Sequence, residues 1–315
     1  MIDISIIIPT YNYGSYITEC LNSVIPFLKD NDEIIVVDDG STDNTYDIVT
    51  SLFCQKLVYL RQNNSGPSAA RNYGVSVAKN SHVIFLDADD ILGEGQLDTF
   101  RMAAESNPRK VVYGPWIRFV KVSEGKIPIE LHGKPDHKDL LKAWLLGWYV
   151  SPCALLWPRE AVEKLGGFDL RFKANEDGEF AKRALIFGFE FFFCDSPPAW
   201  NRKHLDTEQP SLSDDRSEIL LNQRFQVLKK IEKLMESRDI FCFYRKELAF
   251  AYYGLGKDQV YSNPEFARKC YREFRRVLPW GRPPGSLLNW IGVSILGLEN
   301  KEKLARYFRK IWIKR

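Results

Sequence analysis

The 315-residue sequence lacks several patterns that mark other classes of protein. It has no run of about 18 consecutive apolar residues, so we predict no membrane-spanning helix. The first ten residues, MIDISIIIPT, have no basic segment followed by a cleavage site, so we predict no signal peptide. The six cysteines form no CxxC pair, which favours reduced thiols in a cytoplasmic protein over a disulfide framework.

Two glycine-rich phosphate-binding loops are also missing. The Walker pattern GxxxxGK[ST] does not occur, and Gly254-Leu255-Gly256 is not followed by the third glycine of GxGxxG. The sequence therefore argues against a P-loop enzyme and against a dinucleotide-dependent dehydrogenase. A phosphate-bearing ligand would need another source of positive charge.

Charge is distributed unevenly along the chain. The formal net charge is +3, but residues 216–315 carry 22 basic and 10 acidic side chains, whereas the preceding residues carry 22 basic and 31 acidic ones. An acidic first part and a basic last part indicate two regions with different roles, and we place the boundary near residue 215.

The first region alternates apolar strands with helical patterns. Strands are predicted at 4–10, 33–41, 57–62 and 82–86, with helices between them, the first of which spans 15–28. This alternation is typical of βαβ units and predicts an α/β fold with a mainly parallel sheet. In such folds, ligands bind beyond the carboxyl ends of the strands.

Polar residues follow each of the four predicted strands. The fourth strand, VIFL, runs directly into Asp87, Asp89 and Asp90, and three carboxylates this close repel one another. Turn formation and helix capping explain any one of these polar clusters, but not all four together. Two carboxylates in D-x-D spacing can bind a divalent cation, which would neutralise phosphate oxygens.

Four ordered motifs resemble those of inverting family 2 glycosyltransferases. The motifs are IIIPTYNYGSYITECLNSV, VVDDGSTDNT, GPSAARNYG and FLDADD. The resemblance covers residues 3–215 and implies a GT-A fold, which is a Rossmann-like mixed sheet flanked by helices. It also implies a nucleotide-diphosphate sugar as donor, a UDP-sugar if Asp39 accepts the uracil N3–H, and Mn²⁺ or Mg²⁺ as cofactor. The region up to about residue 114 would bind the donor, and residues 115–215 would bind the acceptor and supply the catalytic base.

The resemblance assigns roles to individual residues. Asp89 would be a metal ligand, Asp87 would contact the ribose or the metal, and Asp90 would act as a helix cap or support the ligands. The residues expected to bind the nucleotide sugar are Pro9, Thr10, Tyr11, Asp39, Arg71, Asp87 and Ala88.

A second motif contains the candidate general base. GGFDLRFKANEDGEFAKRAL, residues 166–185, resembles the family segment in which a Glu-Asp pair opens a helix. Carboxylates at a helix amino terminus are also favoured by the helix dipole alone. The resemblance implies that Asp177 is the general base that removes the proton from the acceptor hydroxyl, and that Glu176 orients the acceptor or Asp177.

Residues 200–213, WNRKHLDTEQPSLS, resemble the segment in which family members carry an arginine and a histidine. The resemblance implies that Arg202 and His204 contact the metal or the diphosphate when a loop closes. His82, His132 and His137 belong to no motif. Aromatic faces of Trp144, Trp148 and Trp157 could contact an acceptor sugar, although aromatic residues at helical spacing are more often part of a core.

The C-terminal region is predicted to be helical. LARYFRKIWIKR, the last helical pattern, places apolar residues on one face and basic residues around it, which predicts contact with an anionic membrane surface at the inner face of the cell membrane. A terminal helix packed on the catalytic domain is the alternative. No nucleic-acid-binding motif accompanies the basic charge, so we predict no nucleic-acid partner.

Three functions are compatible with this sequence. The first is a metal-dependent inverting glycosyltransferase that acts on a glycan or lipid-linked glycan. The second is a nucleotidyltransferase, which would require a basic, glycine-rich loop after the first strand, where PTYNYGSY has no cation. The third is a non-catalytic sugar-nucleotide or membrane-binding protein, and the presence of Asp87, Asp89 and Asp177 argues against it.

Overall fold

The structure, a computed structural model, describes residues 2–52, 54–122, 125–204, 217–284 and 300. The chain forms two compact units. The first contains the residues up to 136 together with 149–220, and the second contains 137–148 and the residues from 221 onward. The predicted boundary near 215 lies outside the described residues. The segment 137–148 belongs to the second unit, although the sequence placed it in the acceptor region of the first.

The elements are numbered in chain order. The strands are β1 (Ile4–Thr10), β2 (Glu33–Asp38), β3 (Leu57–Arg61), β4 (His82–Phe85), β5 (Val111–Tyr113), β6 (Trp116–Val122), β7 (Gly125–His132), β8 (Leu155–Pro158), β9 (Phe191–Phe193) and β10 (Ala199–Arg202). The helices are α1 (Gly14–Asn22), α2 (Thr45–Ser51), α3 (Pro67–Val77), α4 (Gln96–Ser106), α5 (Leu140–Leu145), α6 (Arg159–Lys164), α7 (Glu176–Ile186), α8 (Glu218–Ser237), α9 (Phe241–Lys257) and α10 (Pro264–Val277).

A seven-stranded mixed sheet forms the centre of the first unit, in the order β3-β2-β1-β4-β8-β5-β9. The strands β3, β2, β1 and β4 run parallel, whereas β8 is antiparallel to its neighbours β4 and β5. A second sheet has the order β10-β6-β7. The predicted mixed α/β sheet is therefore confirmed, and the carboxyl ends of β1, β2 and β4 meet at one edge.

Burial in the core explains why three of the four predicted strands, β1, β2 and β4, form. Every residue of β1, β2 and β4 is buried, as expected for apolar strands covered by helices on both faces. Helix α3 packs closely on β1 through Gly74, because a Cβ at that position would lie 2.4 Å from Cγ2 of Ile7. This close packing holds the amino-terminal half of α3, which carries Arg71, next to the strand ends.

Helix α1 is shorter than predicted. It ends at Asn22 rather than at residue 28, and a single 3-10 turn, Ile25–Phe27, follows it. The cause is Pro26, because a proline lacks the N–H of the next helical hydrogen bond and its ring clashes with the carbonyl group four residues earlier. That carbonyl belongs to Asn22, where the helix ends.

The second unit contains α5, most of α8, and the helices α9 and α10. Its centre holds a buried carboxylate, Glu232, which accepts a hydrogen bond of 2.9 Å from Tyr252 Oη and pairs with Lys229 and Arg276. Among the described residues, no helix is both long and apolar enough to cross a bilayer. The predicted amphipathic helix at 304–315 lies outside the described residues.

Candidate active site

Each of the three carboxylates after β4 contacts a different partner. Asp87 Oδ1 accepts a hydrogen bond of 2.7 Å from Arg71 Nη2, and Asp89 Oδ2 lies 2.7 Å from His204 Nε2. Asp90 is buried and accepts hydrogen bonds of 2.9 Å from the side-chain amide of Asn201 and from the backbone N–H of Arg202. Cationic or N–H partners therefore offset the repulsion that the sequence implies.

Asp90 joins the end of β4 to β10. Burial raises the pKa of Asp90 well above its usual range, and the charges of Asp89 and Asp87 add to this effect. Its two hydrogen bonds to residues 201 and 202 fix the position of β10 beside the Asp87–Asp90 turn. The Asp90 side chain is therefore buried between the two elements rather than facing solvent.

Arg71 connects the end of β4 to the start of α7. Its Nη2 donates to Asp87, and its Nη1 donates to Glu176 Oε1 at 2.8 Å. Burial disfavours the guanidinium charge, but the charges of Asp87 and Glu176 outweigh this and raise the pKa of Arg71. The guanidinium also lies 5.2 Å from the ring centre of Phe168. Arg71 thus bridges two carboxylates that are 89 residues apart in the chain.

Glu176 and Asp177 open α7 but have different environments. Glu176 is buried, and burial raises its pKa to about 7 against the opposing charge of Arg71. Asp177 is half-buried, and its Oδ1 accepts a hydrogen bond of 2.7 Å from the N–H of Gly178. Glu176 is therefore held in the protein, whereas Asp177 can reach a ligand.

Lys182, one turn further along α7, is buried and donates a hydrogen bond of 2.9 Å to the carbonyl group of Gly178. Burial lowers its pKa to about 8, although the charges of Asp177 and Glu179 act in the opposite direction. The first two turns of α7 therefore combine carboxylates and a buried amine.

The other residues expected to bind the nucleotide sugar lie at the ends of β1, β2 and β4. Tyr11 is 43% exposed, so one face of its ring is available for stacking, and Thr10 Oγ1 is buried without a hydrogen-bond partner among the described residues. Pro9 is buried within β1, and Ala88 is buried beside the carboxylates. Asp39 is buried, and its carboxylate accepts hydrogen bonds from Gln62 Nε2 and from the N–H groups of Ser65 and Gly66.

Arg202 is buried and donates hydrogen bonds to two protein groups, whereas its Nη1 has no hydrogen-bond partner among the described residues. Its Nη2 donates to Glu19 Oε2 at 2.8 Å, and its Nε donates to the carbonyl oxygen of Asp89 at 2.9 Å. His204 lies near the rings of Tyr13 and Tyr16, with centroid distances of 6.1 and 5.0 Å. The structure thus brings His204 to Asp89, and Arg202 orders the turn that carries Asp89.

The described sequence matches the family model "Glycosyl transferase family 2" over residues 5–166. The chain belongs to glycosyl transferase family 2. The match begins in β1 and ends after α6, so it includes Arg71 and the three carboxylates after β4 but not Glu176 or Asp177.

Curated relatives of the family 2 chain match it over part of their length. Glycosyltransferase GlyG of Streptococcus pneumoniae serotype 4 is 37% identical over 119 residues, which is 37% of this chain and 40% of GlyG. Poly(ribitol-phosphate) beta-glucosyltransferase of Bacillus spizizenii is 35% identical over 191 residues, which is 58% of this chain and 29% of that protein. The matched stretch thus spans less than half the length of these relatives.

Solved structures of S. aureus TarS share the fold. TarS 1-349 of S. aureus in complex with UDP-GlcNAc has a TM-score of 0.66 and 21% identity, and the match covers 88% of this chain and 82% of that one. The complex of the same protein with UDP has a TM-score of 0.65 and 20% identity and covers 98% and 91%. At this level of identity, the likeness shows a common fold.

The family 2 site has a donor set that fits a hard divalent cation in part. Such cations bind through one or two carboxylates together with water and substrate phosphate oxygens. Asp89 and the second oxygen of Asp87 meet that description, although the described residues contain no group of three or more potential ligands. His204 Nε2 can donate to Asp89 only while it carries a proton and can bind a metal only after losing it, so these two uses exclude each other.

Several residues of the family 2 site were not identified from the sequence. They are Tyr13, Tyr16, Glu19, Tyr149 and Asn201. Only the two tyrosines had a local signal, because they lie three residues apart at the start of α1, directly after a strand end. Trp157, which was considered for acceptor contact, packs in the core against Phe180 and Phe191.

Proposed function

We propose that the protein is a metal-dependent inverting glycosyltransferase. It would move a sugar from a UDP-sugar to a hydroxyl group of a glycan or lipid-linked glycan, with Asp177 as general base. The observation that carries this proposal is the Arg71 bridge, because it joins the carboxylates after β4 to the helix turn that carries Asp177. Donor and base residues from distant parts of the chain are thereby held in one site.

The proposal of a UDP-sugar as donor rests on residues at the carboxyl ends of β1 and β2. Tyr11 offers an exposed ring for a pyrimidine, Thr10 Oγ1 is a buried hydroxyl without a partner among the described residues, and Asp39 has a carboxylate at the same edge. A UDP-sugar is supported further by the fold shared with TarS 1-349, whose crystal structures contain UDP-GlcNAc and UDP. The acceptor assignment rests on relatives whose names refer to poly(ribitol-phosphate) and to minor teichoic acid biosynthesis.

The reaction needs a base on the acceptor side. In the proposed step, the acceptor oxygen forms a bond with the anomeric carbon, the bond from that carbon to the diphosphate breaks, and the hydroxyl proton moves to Asp177. Asp177 Oδ1 is oriented by the Gly178 N–H, and no hydrogen bond to Oδ2 exists within the described residues. Attack from the side opposite the leaving group inverts the anomeric configuration.

The cofactor residues would be Asp89, with Asp87 or a deprotonated His204 beside it. A bound Mn²⁺ or Mg²⁺ would stabilise negative charge on a nucleoside diphosphate. Glu19 and Arg202 hold the backbone of the turn that carries Asp89, and Asp90 anchors the same turn to β10. These contacts would keep the Asp89 carboxylate in place when a donor binds.

Isothermal titration of UDP, GDP and dTDP tests the donor assignment, with Mn²⁺ and with a chelator. We expect UDP to bind at least tenfold more tightly with Mn²⁺ and more tightly than the other two nucleotides. Asp89→Ala should remove the Mn²⁺ dependence, and Asp258→Ala, which removes an exposed carboxylate of the second unit, should not. Binding of UDP that is insensitive to both Mn²⁺ and Asp89→Ala would refute the metal assignment.

The anomeric configuration of the product tests whether transfer proceeds with inversion. Proton NMR of the newly formed glycosidic bond should show the anomeric configuration opposite to that in the UDP-sugar. Retention of configuration would exclude the direct displacement assisted by Asp177.

A further inference from the structure

One face of the small sheet carries polar and aromatic side chains that the mechanism above does not use. Arg118 and Asn201 are register partners on the parallel strands β6 and β10, so their side chains project from the same face. Asn201 donates to Asp90, which places this face directly beside the Asp87–Asp90 turn. Tyr11 and Asp39, which are proposed to bind the nucleotide base, follow β1 and β2 of the large sheet instead.

Tyr149 lies over this face. Its hydroxyl oxygen accepts a hydrogen bond of 2.7 Å from Arg118 Nη2, and its ring centre is 5.0 Å from that of Trp116. His132 stacks on Trp116, with ring centres 3.8 Å apart and ring planes within 4° of each other. Trp116 is buried, whereas Arg118, His132 and Tyr149 are half-buried and form the accessible layer. We call these four residues the β6–β7 platform.

The platform lies within electrostatic reach of the proposed base. Burial raises the pKa of Tyr149, the charge of Arg118 lowers it, and the charge of Asp177 raises it. The charge of Glu130 also raises this pKa, so Arg118 opposes both carboxylates at the phenol.

Arg118 is a cation without a carboxylate partner among the described residues. Its cross-strand neighbour Glu130 pairs instead with His132, at 3.1 Å between Oε2 and Nε2. The hydrogen bond to Tyr149 uses one of its five N–H donors, and that acceptor is neutral. A half-buried guanidinium that has no carboxylate partner and several unused N–H donors can bind a phosphate group through two parallel hydrogen bonds.

We propose that the β6–β7 platform is the acceptor subsite and that Arg118 binds a phosphate group of the acceptor. The inference rests on the proposed glycosyltransferase function. Tyr149 and His132 supply edges for hydrogen bonds to acceptor hydroxyl groups, and Trp116 holds the His132 ring in place. An acceptor polymer with phosphodiester links fits this chemistry better than a neutral glycan.

The experiment measures binding of poly(ribitol phosphate) and, separately, of UDP with Mn²⁺ to the full chain. Arg118→Gln should weaken binding of the polymer at least tenfold and leave the UDP affinity within twofold. Arg118→Lys should recover part of the polymer affinity, because it retains the charge but not the planar fork. Arg109→Gln is the matched control, since Arg109 is exposed. Arg109 precedes β5, which runs in the same direction as β4, so it lies at the end of the large sheet away from the Asp87–Asp90 turn.

The outcomes separate this inference from the proposed function. If the wild type binds UDP but not poly(ribitol phosphate), or if Arg118→Gln and Arg109→Gln behave alike, the acceptor subsite is refuted while the donor site stands. A loss of UDP affinity in Arg118→Gln that matches its loss of polymer affinity would assign Arg118 to the donor instead. Failure of the wild type to bind UDP would refute the proposed function itself.

Discussion

At the scale of single residues, neighbouring carboxylates of the site differ in their burial and in their hydrogen-bond partners. Glu176 and Asp177 are adjacent in the sequence, yet Glu176 is buried against Arg71 while Asp177 is half-buried and has a free carboxylate oxygen among the described contacts. Asp87, Asp89 and Asp90 likewise have different partners. Neighbouring carboxylates can therefore have different chemical roles, because each meets a different local charge and a different degree of burial.

The first prediction concerns Asp177. Asp177→Asn should lower the rate of sugar transfer by about 10²–10⁴-fold, the range typical of a lost general base. Its UDP affinity should stay within about threefold of the wild type, because the donor residues belong to other elements. Release of UDP reports the rate, and calorimetric titration reports the affinity. A parallel loss of UDP affinity would contradict the assignment of Asp177 as base.

The second prediction concerns the pH dependence of stability. The pKa of Glu176 is about 7 in the folded chain and 4.5 for an unperturbed glutamate. Between these values the folded chain keeps a proton that the unfolded chain has lost. The free energy of unfolding should therefore fall as the pH rises from 4.5 to 7, on the order of 2 kcal/mol.

Urea unfolding at a series of pH values from 4.5 to 7.5 measures this effect. Glu176→Gln should remove the fall, and Glu94→Gln, which changes an exposed carboxylate, should keep it. An identical pH profile for wild type and Glu176→Gln would show that the fall has another origin.

At the scale of elements, Arg71 connects α3, the end of β4 and the start of α7. Gly74 lets α3 approach β1 closely enough for the arginine to reach both carboxylates. The antiparallel strand β8 enters the sheet between β4 and β5, and α7 follows it in the chain. Glu176 and the proposed base Asp177 therefore come from a segment far in the chain from the strand ends proposed to bind the donor.

The third prediction follows from this bridge. Arg71→Met should lower the free energy of unfolding by about 3–5 kcal/mol, because it leaves a buried carboxylate, Glu176, without its counter-charge. Arg171→Met, which breaks an exposed pair with Asp169, should cost no more than about 1 kcal/mol. Urea denaturation followed by circular dichroism measures both. Equal costs for the two substitutions would mean that the bridge contributes little to stability.

At the scale of the whole molecule, charge divides the chain. The basic excess lies after residue 215, and the acidic excess lies before it. Within the described part of the second unit, Glu232 is neutralised by Lys229 and Arg276. Seven of the 22 basic residues after residue 215 follow residue 300, where only one acidic residue accompanies them. We propose that this terminal segment contacts an anionic membrane surface, which would place the enzyme peripherally at the inner face of the cell membrane.

The fourth prediction tests the membrane proposal. The full chain should sediment with vesicles that contain about one third phosphatidylglycerol at 0.1 M salt and should be released at 1 M salt, because screening shortens the range of the attraction from about 10 to about 3 Å. Replacing Arg306, Arg309, Lys310 and Lys314 with Gln should abolish sedimentation. The same replacement at the exposed residues Lys233, Arg238, Lys257 and Arg268 should not. Equal effects of both sets would indicate a response to net charge alone.

The sequence by itself determined the βαβ half of the fold and the edge where the donor residues meet, because apolar runs and strand-end polar residues are local patterns. It also indicated Asp89 and His204 together, through the resemblance to family 2, although it missed the early end of α1 at Pro26. Only the tertiary structure decided which groups pair. The Arg71–Glu176 contact joins residues 105 positions apart, and the Arg118–Tyr149 contact joins residues 31 positions apart. Such pairs depend on strand order and helix packing, which no local pattern encodes.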